Sequence, residues 1–488
     1  MSMSFLSIPA SLRTTGAFLE FDSSKAVSGL PAAPTKVLLI GQRLAAGAVA
    51  ANVATRIVAA DQAVKAFGRG SMLAAMARAL KTVDGITECW AIGLDDLVAG
   101  TAAAGTITVA GPATAAGTVA LMIAGRPVKI AVAAADTANT IAASMAAAIG
   151  ANLDLPVTAA AAGAIVTLTA RHKGTGGNDI DLRHSFYQGE GLPAGVGLAI
   201  VGMAGGAGNP DVASAFAAIG DTVYSTIVVG FTDAATLAAV EAEQVRRWGP
   251  LLMIEGMAYF GARGTQGGLA AIGGGRNSPY CSIIGAKGAP NPPWEWAAAY
   301  AGVVGFHGSV DPARPFQTLP LTGLLAPAEP DRFTRAEREL LLRDGISTWT
   351  VDGGGIVVIE RAITTYQTNA WGLEDVAFLD VNTPLTLAYI RYAVRARILA
   401  KFPRHKLASD DARFGSGQAI VTPKTLRAEL VALMREMEDA GLVEDLDQFV
   451  ADLIVERDPT DAGRVNALIP PNIINQFRVF AGRVEFRL

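Results

Sequence analysis

Cysteine and histidine are scarce in this chain: 488 residues carry two cysteines and four histidines. Cys89 and Cys281 sit in apolar surroundings, and neither belongs to a C-x-x-C pair, so buried, reduced and inert thiols are expected. His172, His184, His307 and His405 are scattered, with no H-E-x-x-H spacing and no cysteine cluster, so no metal centre is indicated. Long apolar runs are missing too. The alanine-rich stretch 131–148 is broken by Asp136, Asn139 and Ser144, and no segment reaches the roughly eighteen apolar residues of a membrane span, so stable membrane insertion is not expected. No basic region followed by an apolar core and a small-residue cleavage site opens the chain, which points to synthesis and assembly in a cytoplasm. Charge is the scarcest commodity: 17% of residues are charged against 51% hydrophobic. A surface that poor in charge suits a protein that covers much of itself with copies of itself. The net charge of −4, with no basic groove studded with aromatics, gives no attraction for nucleic acid.

Catalytic motifs are equally thin. The loop Arg171, His172, Lys173, Gly174, Thr175, Gly176, Gly177, Asn178 lacks P-loop spacing, and the glycine-rich run 202–208 leads into Asn209, Pro210 and Asp211 instead of completing G-x-G-x-x-G. Gly415, Ser416 and Gly417 do not form a nucleophile elbow. Trp294 and Trp296 flank Glu295 after Pro292 and Pro293, which reads as packing at a helix start rather than a ligand platform. The residues therefore suggest neither enzyme nor cofactor.

A chain of this length implies two to four domains. An apolar strand at 36–41, helices at 63–67 and 72–83 and a strand at 88–93 predict a parallel β-α-β unit. Composition then shifts: residues 101–210 hold thirty alanines and only ten charged residues, with short strands at 105–109, 118–123, 127–132, 163–169 and 195–201 around one helix ending at Ile149. The α/β alternation resumes with a helix at 212–219, a strand at 224–231, a helix at 233–248 and strands at 251–254 and 280–284. Beyond a proline-rich stretch, Thr334 and Glu337 form a capping box, and Asp352, Gly353, Gly354 and Gly355 join a hairpin of strands 346–351 and 356–363. Helices 384–401 and 423–440 begin with Thr-Pro pairs that place proline at the first helical position, and 449–457 alternates like a strand that would pair with an arm.

The fold class expected is α/β and α+β multidomain. A split α/β domain (35–100 and 210–310) carries an inserted β-rich or α+β module (101–209). A connector and hairpin region (311–375) and a C-terminal α+β assembly domain (376–471) follow, with an N-terminal arm (1–34) and a C-terminal arm (472–488) at the ends.

The C-terminal arm is the most telling segment. Over 483–488, Val484, Phe486 and Leu488 share one face and Arg483, Glu485 and Arg487 the other, with no turn to bring a partner alongside. Extended at about 3.3 Å per residue, 472–488 could reach roughly 50 Å, onto a neighbouring molecule. A second extended piece around Phe18, Leu19 and Phe21 precedes the core, and the two ends could pair within one monomer or be exchanged between subunits. Phe477 and Val479 join the candidate exchange residues.

Charge is divided unequally. Residues 384–427 hold nine Lys/Arg and two acids, and 429–458 ten acids and two arginines. Arg391, Arg395 and Lys401 on one side and Glu436 and Asp439 on the other could form a charged assembly surface between subunits or towards a tube. Solvated faces with local pairing would look the same.

The stretches Ile8-Pro9-Ala10-Ser11-Leu12-Arg13, Glu20-Phe21-Asp22-Ser23-Ser24-Lys25-Ala26 and 29–41, together with Asn369-Ala370-Trp371-Gly372, Asp380-Val381-Asn382-Thr383-Pro384-Leu385-Thr386 and the tail from Pro470, resemble contractile-tail sheath proteins of Mu-like phages. The resemblance spans nearly the whole chain and brings no active-site residue. It implies hexameric rings stacked helically around an inner tail tube protein, linked by exchanged terminal strands and contracting to drive the tube through the host envelope. It further implies baseplate and tail terminator proteins as partners, location in the virion tail, assembly in the host cytoplasm, and no cofactor. A static tail-tube or baseplate protein, and a nucleotide-binding α/β enzyme, are the competing expectations.

Overall fold

The computed structural model describes residues 13–16, 30–415 and 417–487. The chain divides into two compact units, the larger made of Pro34–Tyr389 with residues 475–487 and the smaller built around Ile390–Ile474. The architecture is mixed α/β.

An eight-stranded sheet organises the larger unit, in the order Val357–Arg361, Ile346–Val351, Cys281–Gly285, Met257–Ala262, Thr226–Val229, Lys36–Gln42, Glu88–Leu94, Thr55–Ile57. The inner pairs are parallel and the outermost pair on each side is antiparallel. The inner strands are almost continuously apolar because helices cover both faces of a parallel sheet, leaving no polar side to alternate with. Lys36–Gln42 and Glu88–Leu94 pair in parallel around helices Ala60–Phe67 and Met72–Val83, as the β-α-β pattern predicts. Both cysteines are buried in this core, which pushes their thiols up to about 12.

One expected strand is displaced. Residues 251–254 form a turn, with Met253 left-handed at φ 53°, and the strand is Met257–Ala262. The apolar residues 251–254 lie in the turn that follows, because Gly249 and Pro250 end the preceding helix without starting a strand. Helix Pro293–Val310 lies across the sheet, with residues 293–304 all buried. Gly261 permits that approach, since a Cβ there would meet the Pro293 carbonyl oxygen at 2.2 Å. The Trp294 and Trp296 pair is thus helix-start packing.

Residues 102–204 build a four-stranded sheet (Gly197–Ala204, Ala102–Ala110, Ile165–Lys173, Val157–Ala162) and a three-stranded one (Arg126–Val132, Gly117–Ile123, Leu182–His184). Helix Ala138–Ala151, capped by Thr137, buries Ile141, Ala142, Met145 and Ile149. The two ends of this segment meet, Thr101 and Ala207 exchanging backbone hydrogen bonds at 2.8 and 3.1 Å.

A polar seam joins the segment to the large sheet. Asp96 accepts from Gln42 Nε2 at 2.7 Å and the Lys173 amide at 2.9 Å and contacts His172 Nδ1 at 3.1 Å. Arg183 donates to Asp181 at 2.7 Å and to the Gly288 carbonyl at 3.0 Å. Asp179 lies beside this cluster, and burial pushes its carboxyl up to about 6 although Arg263 opposes the shift. A folded pKa above the unfolded one, near 3.9, means that ionisation at neutral pH works against folding. The stability associated with this group is full below about pH 4 and is lost as pH rises through about 6. Asp179→Asn should therefore stabilise the protein by about 1–3 kcal/mol at pH 8 and leave it unchanged at pH 4, read from urea midpoints at the two pH values.

In the smaller unit, helix Pro423–Asp439 starts on proline with Thr422 as cap. Helix Asn382–Lys401, whose residues up to Tyr389 belong to the larger unit, begins two residues before Pro384, which therefore does not hold the first helical position. The expected strand 449–457 is also corrected. Leu446–Asp452 is helical, capped by Asp445 at φ 61°, and only Ile454–Arg457 is extended. That strand pairs with Val465–Leu468 as an antiparallel hairpin, not with an arm.

Candidate assembly surfaces

The C-terminal segment leaves the smaller unit through the two-residue strand Asn472–Ile473, which pairs with Val443–Glu444, while Ile474 donates to the Leu442 carbonyl at 3.2 Å. Residues 474–487 then form no strand. Val484 is 90% exposed and Phe486 80%, and Phe477, Val479 and Phe480 are exposed as well. The alternating segment 483–487 pairs with no strand among the described residues. Phe18, Leu19, Phe21 and Leu488 lie outside the described residues.

A surface suited to a strand exists elsewhere in the smaller unit. The hairpin Ile454–Arg457/Val465–Leu468 packs on helix Pro423–Asp439 and belongs to no larger sheet among the described residues. Its cross-strand pair Ile454 and Leu468 is 51% and 58% exposed. Two strands are marginal alone, and a third would complete the face. Sequence reasoning missed this hairpin because its strands are four residues each.

Part of the charged set turns inward. Arg397 donates to Glu429 at 3.0 Å and also pairs with Glu436, and Lys401 reaches Glu429 at 2.7 Å. Basic and acidic segments thus neutralise each other between helices Asn382–Lys401 and Pro423–Asp439, an arrangement that a reading by i,i+4 spacing could not reveal. Arg395 and Asp439 are exposed, and Arg391 is half-buried.

The arm's root is held by a site that sequence reasoning also missed. Arg478 in the larger unit pairs with Asp380 Oδ1 at 3.0 Å and donates to Asn382 Oδ1 at 3.1 Å. Asn382 is fully buried and spends its amide protons on the Pro312 and Arg314 carbonyls, both at 2.8 Å, so its oxygen is left facing the guanidinium. Asp380 is simultaneously gripped by Arg361 through two bonds of 3.0 and 3.1 Å. Among the described residues no helix is long and apolar enough to cross a membrane, and no cluster of His, Cys, Asp and Glu could hold a metal ion.

Three family models match the chain: the phage tail sheath protein beta-sandwich domain over residues 98–197, the central domain over 205–365 and the C-terminal domain over 374–487. The Mu-like prophage FluMu tail sheath protein of Haemophilus influenzae is 46% identical over 488 residues, covering 100% of both chains. Among solved structures, the sheath of the extracellular contractile injection system PVC in its contracted state aligns with TM-score 0.51 at 11% identity, covering 97% of this chain and 98% of the other. That likeness supports the fold alone. A sheath tail protein of Desulfitobacterium hafniense aligns with TM-score 0.49 at 15% identity, covering 94% of this chain and 100% of the other. With identity of this extent across both complete lengths, the chain belongs to the tail sheath proteins of Mu-like phages, structural proteins of the virion tail.

Proposed function

We propose that this chain forms a contractile sheath: hexameric rings stacked around an inner tube, joined by exchanged terminal strands, that shortens to drive the tube through the host envelope. One observation carries the reading. A strand-patterned segment at 483–487 pairs with no strand among the described residues, with Val484 and Phe486 in solvent, while a two-stranded hairpin shows the apolar pair Ile454 and Leu468. β-augmentation of one copy's hairpin by another copy's arm would bury both surfaces and satisfy the edge. Such a junction is heterologous, the donor and acceptor being different surfaces, and heterologous contacts build rings or helices.

Shortening is then a collective change between two packings of nearly rigid subunits with the strand links kept intact. Arg391, Arg395 and Asp439 are the charges we assign to contacts between subunits or with the tube. Lys401 and Glu436 act within their own subunit, fixing the two helices that support the hairpin. Assembly takes place in the host cytoplasm, with tube, baseplate and tail terminator proteins as partners, and no hydrolysis or cofactor is needed. Electron microscopy of tail particles tests the reading. Two helical geometries of the same sheath, one longer and one shorter, are expected; a single geometry under all conditions would make the chain a static tube or baseplate protein.

A further inference from the structure

We propose that Trp371 is an assembly anchor: held on an ordered tip of one copy, its indole inserts into the groove between helices Ala213–Ile219 and Ala234–Trp248 of a second copy of this chain. The contact rests on the self-assembly proposed above and involves neither the terminal arms nor shortening.

The tip is built to present that side chain. Thr368 and Glu374 form an antiparallel bridge, and Asn369 closes the turn between them. The Asn369 amide donates to the Leu373 carbonyl at 2.9 Å, its carbonyl accepts from the Gly372 amide at 3.0 Å, and its Oδ1 accepts from the amides of Trp371 and Leu373 at 3.0 and 3.1 Å. Below the turn, Asn277 Oδ1 accepts from the amides of Gln367 and Thr368 at 2.8 and 3.1 Å, and the Tyr366 hydroxyl donates to Asp375 at 2.7 Å. Against that order, Trp371 is 84% exposed, with Leu373 and Val376 at 64% and 67%. A tryptophan in water on a backbone already fixed gives up little freedom on docking, which is the make-up of an interface hot spot.

The groove has what an indole needs. It is open, encloses about 560 Å³, and is lined by Ala213, Ala217, Ala239 and Ala242, whose small side chains leave room between the two helices. An apolar cleft of that size takes a large ring. Arg246 lines one side, donating to Glu243 at 2.8 Å and to Asp221 at 3.2 Å, with 45% of its side chain in solvent. A guanidinium fixed there is placed to lie over an indole face, and Asp221 to accept the indole N–H. Charge agrees: residues 367–379 include Glu374 and Asp375 but no Lys or Arg, so the tip brings carboxylates towards the groove's exposed cation.

Placement points to a second copy. Helices Ala234–Trp248 and Gln266–Gly273 each carry the chain one strand further in the same direction across the large sheet, so right-handed crossovers put both on one face. The groove borders the first of these helices, and the tip is rooted at the end of the second, Gln367 Nε2 donating to the Gly273 and Arg276 carbonyls at 2.9 and 3.2 Å. Donor and acceptor are thus different places along one helical layer, and pairing them between copies is heterologous, which propagates a ring or a helix. An aromatic side chain buries about 150–250 Å². Even with Leu373 added, the contact stays below the roughly 800 Å² per partner of a stable complex. The free subunit therefore does not dimerise through it, and the anchor engages where a polymer already holds copies side by side.

Two single-thiol chains test the contact, Leu373→Cys beside the anchor and Ala217→Cys in the groove; the native Cys89 and Cys281 are buried. Polymers of the full-length chains are treated with a short bismaleimide and read on denaturing gels. Linked dimers should form in mixed polymers at about ten-fold the level in polymers of either variant alone. Trp371→Ala should raise the subunit concentration needed for polymers by about ten-fold or more, Trp371→Phe by less. Ala242→Trp, which fills the groove from its own helix, should act like Trp371→Ala. Both positions are exposed, so the unfolding midpoints should match the parent's. Polymers of the parent with no excess of links in the mixture, or Trp371→Ala polymers at the parent's concentration, would overturn the anchor while leaving self-assembly standing. A parent chain that forms no polymer would overturn both.

Discussion

Removal of residues 482–488 should abolish helical polymers while leaving the subunit's unfolding midpoint within error of the intact chain. The segment contributes nothing to the subunit's core: it forms no strand, and Val484 and Phe486 are in solvent. The cut falls beyond Arg478 and beyond the pairing of Asn472–Ile473 with Val443–Glu444, so the root of the arm stays where it is. In the polymer, each arm would add about five backbone hydrogen bonds at roughly 1 kcal/mol apiece. Burying two apolar side chains adds about 1.5–3 kcal/mol each. Ordering six residues at about 1–2 kcal/mol each offsets most of that. A single junction is then weak and reversible, as a sheath that rearranges requires, but the loss recurs at every subunit. Sedimentation and negative-stain microscopy of the truncated chain would decide. Normal polymers would show that the lattice does without the arm, and aggregation of the truncated subunit would show that the segment protects its own core.

The sheet was legible where physics leaves one solution. A short, wholly apolar run such as Lys36–Gln42, bounded by polar and glycine-rich turns, fits a strand covered on both faces, and the capping box of Thr334 and Glu337 fits a helix start. The start of helix Pro293–Val310 was legible from Pro292 and Pro293, but its length was not, because the helix is apolar nearly all round and lacks the 3.6-residue period that marks a surface helix. Val157–Ala162 was invisible for the opposite reason: four alanines in six residues carry no strand propensity, and the neighbouring strand Ile165–Lys173 imposes the conformation. Residues 449–457 alternate well enough for a strand, but Asp445, held left-handed and bonding the Gln448 amide, starts a helix one turn earlier. The arm was readable as an unpaired strand because alternation is local. Its receptor for Arg478 was not, since Asn382 lies 96 residues away in sequence. The charge segments were visible in the same way, whereas the pairing of Arg397 with Glu429 and Glu436 depends on how two helices cross.

Glu295→Ala should cost the larger unit about 3–5 kcal/mol and shift its urea midpoint sharply, because it strands a cation in the seam between the inserted segment and the large sheet. Glu295 is 7% exposed at its side chain, in the first turn of helix Pro293–Val310, where the helix dipole favours a carboxylate. Its two oxygens are both used: Oε1 accepts from Arg126 Nη2 at 2.7 Å and Oε2 from Asn291 Nδ2 at 2.8 Å. Arg126 follows the turn of the hairpin Gly117–Ile123/Arg126–Val132, and that turn sits directly on Asn291. A Cβ at Gly125, which is at φ 74°, would meet the Asn291 amide nitrogen at 2.8 Å. Asn291 in turn accepts from the Leu325 amide at 2.8 Å, so one carboxylate organises the hairpin turn, the helix start and the proline-rich stretch together. Truncating it removes the hydrogen bonds and leaves Arg126 partly buried without its anion. Arg126→Met removes that stranded charge while keeping an apolar stem of similar length. The double variant should therefore recover at least half of the lost stability, and a double-mutant cycle over the four proteins reads the coupling directly. Additive losses would mean that Arg126 finds water or another acceptor when Glu295 is gone, and that shape rather than charge holds the seam.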